Sequence, residues 1–493
     1  MSDKRLQLAV DLTQIPTAAG REGRVLAFID AWLVARPGLR KSTDKAGNVV
    51  ITLAPTSKRP KPGKPLFITA HLDHPAFVVE RIVAPGVLEL SFRGGVMDAF
   101  FELAPITLHT AQGPVSATLT GPADTETPAG KHYLAELDDS AGLVPCEPAV
   151  GDVATWRLPP AQIDGAGLLH THGCDDLTGV AAALCAIEEL SARMAAGEKI
   201  GDVRVLLTRA EEIGFIGAIA ACRLKTMPKG SRMLALENSR SFADSPLGGG
   251  PIVRVGDRMS IFTPWLTDAC AERAEQIFGG PAIPKASQAK GTTKRPWQRK
   301  LMAGGACEAS VYCRSGYEAT CLCLPLGNYH NMPHLTELQA GTYDRHKFGP
   351  PRCEREFIHT GDFLGLIDLL VALGVHLPEP DSQSALFDEL YQRKAYVLGE
   401  RPDAAPKPKA KPKTKAKTNA KTTQSHATTV IDLDTGSAGL PWRQLRLVSC
   451  ADNERATPVA QDTLARRSNQ RVELIVTRNA VPTDRYLHDP SSK

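Results

Sequence analysis

The stretch "PLFITAHLDHPAFVV", residues 65–79, decides how the chain is read, because an apolar run of strand character ends in His71 and Asp73 with one leucine between them. Six residues rich in β-branched and aromatic side chains predict a strand buried on both faces. A histidine and a carboxylate at its end place titratable groups where an open α/β sheet gathers its functional loops, beyond the carboxyl ends of the strands.

Working outward, further strand-like runs recur at "NVVITL", "DVRVLLT", "RMLAL" and "EATCLCLPL". The segment "DLTGVAAALCAIEELSARM" carries Val180, Leu184, Ile187 and Leu190 at helical spacing. Two further helices are expected within residues 1–35, parted by the breaker "PTAAG", and a terminal one in "EREFIHTGDFLGLIDLLVALGVHL". Strands alternating with helices predict an α/β fold, a mixed sheet sandwiched by helices. Residues 80–168 differ: segments such as "GVLELSFRGG" and "GPVSATLTG" are short, alternate in polarity and lack helical periodicity. They predict a small β-rich domain inserted between 1–79 and 169–400. Residues 401–428 form a Lys/Pro/Ala/Thr linker that has too little apolar surface to pack and is expected to be disordered. Residues 429–493 form a small C-terminal segment.

Composition excludes several classes. The apolar fraction is 42%, the charged fraction 23% and the formal net charge only +4, which is ordinary for a globular protein and gives the fold no basic signature for nucleic acid. The basic linker reads as a solvated tether. No run approaches the roughly 18 apolar residues of a membrane span, and the N-terminus lacks a secretory pattern, so a cytoplasmic protein is expected. Eleven scattered cysteines with no CxxC pair do not form a disulfide framework; Cys321 and Cys323 alternate along a strand and read as buried.

The apolar runs deliver His71 and Asp73, Glu211 and Glu212, Glu237 and His330 to one presumed sheet edge, while "HGCDD" sets Asp175 and Asp176 ahead of the amphipathic helix. Each has an ordinary reading alone: an Asp before a helix caps its N-terminus, adjacent glutamates form a solvated loop, and a histidine after a strand is hydrogen-bonded or exposed. Together they make a shell of imidazoles and carboxylates suited to a pair of divalent metals, with one carboxylate bridging and another free as a base. Asp73 lies on the same side of an extended chain as His71, placed to orient it. His74, His170, His172 and His334 stand near these motifs and are read as neighbours of the ligands or loop residues.

In their order, "AHLDHPAF", "GCDDLTGVAAAL", "LLTRAEEIGFIGA", "LALENS" and "LPLGNYHNMP" resemble the dinuclear metallo-aminopeptidases of the TET type, relatives of glutamyl and deblocking aminopeptidases. "GGGPIVRVGD" and "GGACEASVYCRSGYEA" are similar to two further segments of that family, and the β-rich insertion sits where the family carries its lid. The resemblance runs over roughly residues 5–375. It implies His71, Asp175, Glu212, Glu237 and His330 as metal ligands with Asp175 bridging, Glu211 as general base and Asp73 as partner of His71. It also implies two divalent ions, Zn2+ on ligand type with Co2+ or Mn2+ as alternatives, peptide substrates and a homo-oligomer. The chain differs from the family pattern at His74, Leu177, Glu237 and Glu308. Two other readings stand beside this one. A related amidohydrolase or carboxypeptidase would need a cation for the substrate carboxylate, with Arg93, Arg240 and Arg314 as candidates, and a scaffold homologue would hold no metal. Residues 445–477 resemble the closing portion of an OmpA-like domain and are read as a half-domain or small appended module in preference to a cell-wall binder.

Overall fold

The computed structural model describes residues 3–54, 63–127, 130–138, 147–280, 296–378, 382–398, 445–448 and 473–476. The chain divides into two units, Met1–Asp403 and Ala404–Lys493. In the second unit the described residues form one antiparallel strand pair, Leu445–Val448 with Glu473–Val476. The linker and the rest of the OmpA-like stretch lie outside the described residues, and none of the comparisons below bears out the OmpA-like reading.

The first unit is built on an eight-stranded mixed sheet. Its order is Leu39–Thr43, Val49–Leu53, Val203–Thr208, Leu66–His71, Arg232–Arg240, Glu318–Leu326, Ile252–Asp257 and Gln298–Met302. The four strands from Val203–Thr208 to Glu318–Leu326 run parallel to one another. Val49–Leu53, Ile252–Asp257 and Gln298–Met302 run against them, and the edge strand Leu39–Thr43 runs antiparallel to Val49–Leu53. All six residues of Leu66–His71 are buried, as expected for a central strand covered on two sides. Helices Lys4–Thr13, Gly23–Val34, Leu177–Ala195, Pro264–Phe278 and Thr360–Val375 pack on one face through a continuous apolar core. Ile216–Leu224 and Glu308–Arg314 cover the other, where Cys321 and Cys323 are buried beside Phe67 and Tyr312. The fold is therefore α/β, with a mixed sheet between helical layers.

Three sheet strands, Leu39–Thr43, Ile252–Asp257 and Gln298–Met302, and the helices Ile216–Leu224, Pro264–Phe278 and Glu308–Arg314 add to the elements expected from sequence. The inserted region closes into a six-stranded barrel, and its strands begin with Ala76–Ala84 and end with Val153–Trp156. Phe77, Phe92, Phe101, Tyr133 and Trp156 fill its interior, with Phe101 and Tyr133 stacked 4.3 Å apart. Such aromatic pairs add about 0.5–1.5 kcal/mol to the area they bury. Closure leaves the inserted sheet without a free edge, which an open sheet of short strands would otherwise expose. Among the described residues no helix is long and apolar enough to cross a membrane.

Candidate metal centre

The parallel strands all point their carboxyl ends toward one cleft, and this sets the positions of the candidate residues. His71 closes its own strand, Glu237 lies within Arg232–Arg240, and Leu326 leads to the turn Tyr329–Asn331 that carries His330. The strand ending at Thr208 leads into a tight loop bearing Glu211 and Glu212. Gly217 lets that loop fold back, since a Cβ there would lie 2.3 Å from the Arg209 carbonyl oxygen. Asp175 and Asp176 precede the helix Leu177–Ala195 and are joined by a cis peptide. The capping reading of Asp176 has no support, because its side chain makes no cap hydrogen bond.

All five expected ligands come together. His71, Asp175 and Glu237 each offer a ligand atom within 4.8 Å of the others; so do Asp175, Glu212 and His330, and so do His71, Glu211 and Glu212. The two oxygens of Asp175 face different imidazoles: Oδ1 is 3.3 Å from His71 Nε2, and Oδ2 is 3.6 Å from His330 Nε2. His330 Nε2 also lies 3.6 Å from Glu212 Oε1. His71 Nδ1–H donates to the backbone carbonyl of Asp73 at 3.0 Å, and His330 Nδ1–H to that of Gly95 at 2.7 Å. A carbonyl only accepts, so in each neutral imidazole the proton sits on Nδ1 and the bare Nε2 faces the cleft.

The residues present fit divalent cations. Asp175 Oδ1 and Glu212 Oε1 are buried and have no hydrogen-bond donor among the described residues. A buried carboxylate oxygen without a donor costs free energy unless a cation or proton meets it. Burial pushes Glu211, Glu212 and Glu237 well above the ordinary carboxylate range, and neighbouring carboxylates push further. Burial opposes the charged form of Asp175 as well, yet the facing imidazoles of His330 and His71 hold it below its ordinary value. Burial works against protonated His71, but Glu211 and Asp175 outweigh it and raise its pKa. Like charges accumulated in a dry cleft, with imidazole and carboxylate donors, form a set that positive ions neutralise.

The Asp73 carboxylate does more than orient His71. Its Oδ1 and Oδ2 accept the backbone N–H groups of Glu211 and Glu212 at 2.9 and 3.0 Å, while Oδ1 stands 3.5 Å from His71 Nδ1. It fixes the two glutamates and the first histidine to one another. Glu308, buried behind His71 and Asp73, accepts from Tyr312 Oη at 3.2 Å and is pushed up to about 7 by burial.

None of the four neighbouring histidines joins a ligand group among the described residues. His74 Nδ1 lies 2.6 Å from the Asp175 carbonyl and its Nε2 3.0 Å from Asn331 Oδ1, bracing the Asp175 backbone. His172 is partly buried, and the loss of water around its ring pushes it down to about 3, with His74 adding to the effect. His170 pairs with Asp164, and His334 stacks on Phe348.

Two residues escaped the sequence reading. Glu356 is fully buried, and its carboxylate accepts the N–H groups of Cys174, Asp175 and His330 at 2.6, 3.1 and 2.8 Å, tying two expected ligands to one group. It lies in "EREFIHT", where only its lack of alternation in an otherwise strand-like run could have flagged it. Arg258 lines a cavity of about 260 Å³ together with Asp175, Glu211, Glu212, Phe215 and Tyr329. The three arginines expected as carboxylate binders are otherwise engaged: Arg93 with Glu80, Arg240 with Thr336 and Gln339, and Arg314 with the Met259 carbonyl.

Residues 47–278 match the sequence model of the M42 glutamyl aminopeptidase family. A TET aminopeptidase from a marine sediment Thaumarchaeota archaeon superposes with a TM-score of 0.58 at 18% identity, covering 76% of this chain and 98% of that one. The TET1 peptidase of Pyrococcus horikoshii, which can assemble into a tetrahedron or a large octahedral shell, gives 0.55 at 20% identity, covering 76% of this chain and 100% of that one. An aminopeptidase from Desulfurococcus kamchatkensis gives 0.55 at 19%, covering 75% and 94%. The fold is that of the TET aminopeptidases. The motif order in the sequence resembles the same family, and the TET fold spans the part of the chain that holds the cleft. No curated protein sequence matches.

Proposed function

We propose that the protein is a metal-dependent aminopeptidase that releases N-terminal residues from peptides at a dinuclear centre. One observation carries this reading: the two oxygens of Asp175 face two imidazoles on opposite sides, each completing a separate triad of ligand atoms. In it, His71, Asp175 and Glu237 would hold one ion and Asp175, Glu212 and His330 the other. Divalent ions bound there, zinc on ligand type, supply Lewis acidity toward the scissile carbonyl and a water. Glu211 stands beside Glu212 without being needed in either triad. Its carboxylate, lifted by burial, takes the proton of the attacking water and returns it to the leaving amine. Asp73 holds Glu211 in register through the backbone N–H.

Arg258 supports a preference for an acidic N-terminal residue, since it brings a guanidinium to a cavity whose other charged walls are carboxylates and His330. The matched family carries glutamyl aminopeptidase in its name. By analogy with the Pyrococcus peptidase, the chain is expected to assemble into homo-oligomers.

The test combines elemental analysis of the purified protein with hydrolysis of a panel of aminoacyl amides and N-acyl amino acids. Two divalent ions per chain and turnover of aminoacyl amides are expected, with kcat reduced about 10²–10⁴-fold in Glu211→Gln at unchanged metal content. Turnover of only the N-acyl amino acids would favour the amidohydrolase alternative, and absence of metal would favour a scaffold.

A further inference from the structure

The two expected histidine ligands are oriented by different parts of the molecule. His71 is held from within the catalytic sheet, by the carbonyl of Asp73 two residues on. His330 is held from the barrel: the carbonyl that accepts its Nδ1–H belongs to Gly95, in the loop that follows the barrel strand Val87–Arg93. That loop is shaped for close approach. Gly94 has φ +140°, and a Cβ there would lie 2.6 Å from the Pro75 side chain. From Gly95 the chain runs along the segment that carries His330. Met97 N–H donates to Met332 Sδ at 3.4 Å, and Phe100 is fully buried against Met332 and Leu335. At the far end Glu102 pairs with Arg345 at 2.7 Å. Glu212, the other residue particular to the His330 triad, lines a cavity of about 470 Å³ whose remaining walls come mainly from the barrel, among them Phe92, Gly95, Phe101 and Tyr133.

Resting on the dinuclear reading above, we propose that the barrel is a positioning element for the second half of the metal centre. The 95–100 loop sets the ring of His330, so the ion held by Asp175, Glu212 and His330 is bound tightly only while this loop is latched. The ion held by His71, Asp175 and Glu237 does not depend on it. Groups that orient a ligating imidazole commonly govern metal affinity by 10–100-fold when altered.

The experiment is a calorimetric titration of the metal-free full-length protein with Co2+, read in parallel by the visible absorption of the bound ion. Two binding steps are expected for the wild type, and His330→Ala and His71→Ala identify which step belongs to which half. Phe100→Ala, which empties the latch, is expected to weaken the His330 step about 10–100-fold and to leave the His71 step within about twofold. Met332→Leu removes the sulfur acceptor at nearly constant volume and is expected to shift the same step alone, by a smaller factor; it decides the matter if Phe100→Ala does not fold. Equal weakening of both steps, or an unchanged His330 step in a folded variant, overturns the latch. A wild type that binds fewer than two ions would instead overturn the dinuclear reading itself.

Discussion

The two halves of the proposed metal centre use the same kinds of side chain but rest on different supports. On one side, His71 and Glu237 sit on neighbouring parallel strands whose backbone is fixed by ladder hydrogen bonds, with ordinary φ values. On the other, Glu212 lies on a loop and His330 on a turn in which Asn328, His330 and Asn331 all have positive φ. A non-glycine residue in that region costs roughly 1–3 kcal/mol and persists only where its surroundings impose it. Here Glu356 grips the His330 N–H and the barrel grips its ring. Sites on strands hold geometry better than sites on loops. One half is thus preorganised by the sheet, and the other is assembled from separate pieces and open to adjustment.

The sharpest way to break this contrast is at the residue the halves share. Asp175→Asn should abolish two-ion binding and lower activity by at least about 10³-fold, because no second carboxylate can bridge; retention of two tightly bound ions would show that the bridge is not needed. Glu356→Gln probes the tie between the halves. It replaces an acceptor by an N–H₂ facing backbone donors, and should weaken metal binding about 10–100-fold, more at the His330 step than at the His71 step, as read by chelator competition. Arg258→Ala should raise KM for N-terminal glutamyl and aspartyl amides about tenfold with kcat little changed. Equal loss on leucyl amides would remove the charge-based explanation.

A subtler contrast appears with pH. Burial raises Glu211, Glu212, Glu237 and Glu308 above the ordinary value of 4.5, so the unfolded chain gives up these protons at lower pH than the folded one. Between about 4.5 and the value of about 7 at Glu308, the folded state holds more protons, and stability of the metal-free protein should fall as pH rises. The raised pKa of His71 acts in the same direction, and the lowered ones of His172 and His109 act against it but are outnumbered by the raised groups. Bound divalent ions should flatten or reverse the slope. Melting curves at pH 5, 6 and 7 with and without metal test this, and a metal-free protein that gains stability over that window would contradict it.

The layered α/β fold was legible because its central strands are continuous apolar runs and its helices carry a clear 3.6-residue period. The gathering of the five residues proposed as ligands was legible too: four follow or interrupt apolar strand runs and Asp175 stands just ahead of an amphipathic helix, each a group that is costly to bury. Ile252–Asp257 was harder to read, as "PIVRVGD" contains a buried Arg254 where a strand core would be apolar. Glu356 and Gly95 were beyond the reach of sequence for another reason. Their roles depend on carbonyls, N–H groups and contacts more than 180 residues away in one case and 235 in the other, which no local pattern encodes. The closure of the barrel was equally hidden, because it depends on pairing between the first and last of its strands.

That pairing has a consequence for how the molecule folds. Phe77 sits opposite Ala154 and Val78 opposite Val153, so the chain enters and leaves the barrel side by side. For the catalytic unit, bringing the chain before Ala76 and the chain after Trp156 together across an open coil of some eighty residues would cost about 4 kcal/mol in loop-closure entropy. If the barrel forms first, its own contacts meet that cost, and the connection from Leu66–His71 to Val203–Thr208 is shortened by the barrel's length. The insertion then acts kinetically as a hairpin bend, and the strand that ends in His71 can find its neighbours as though the intervening barrel had little length.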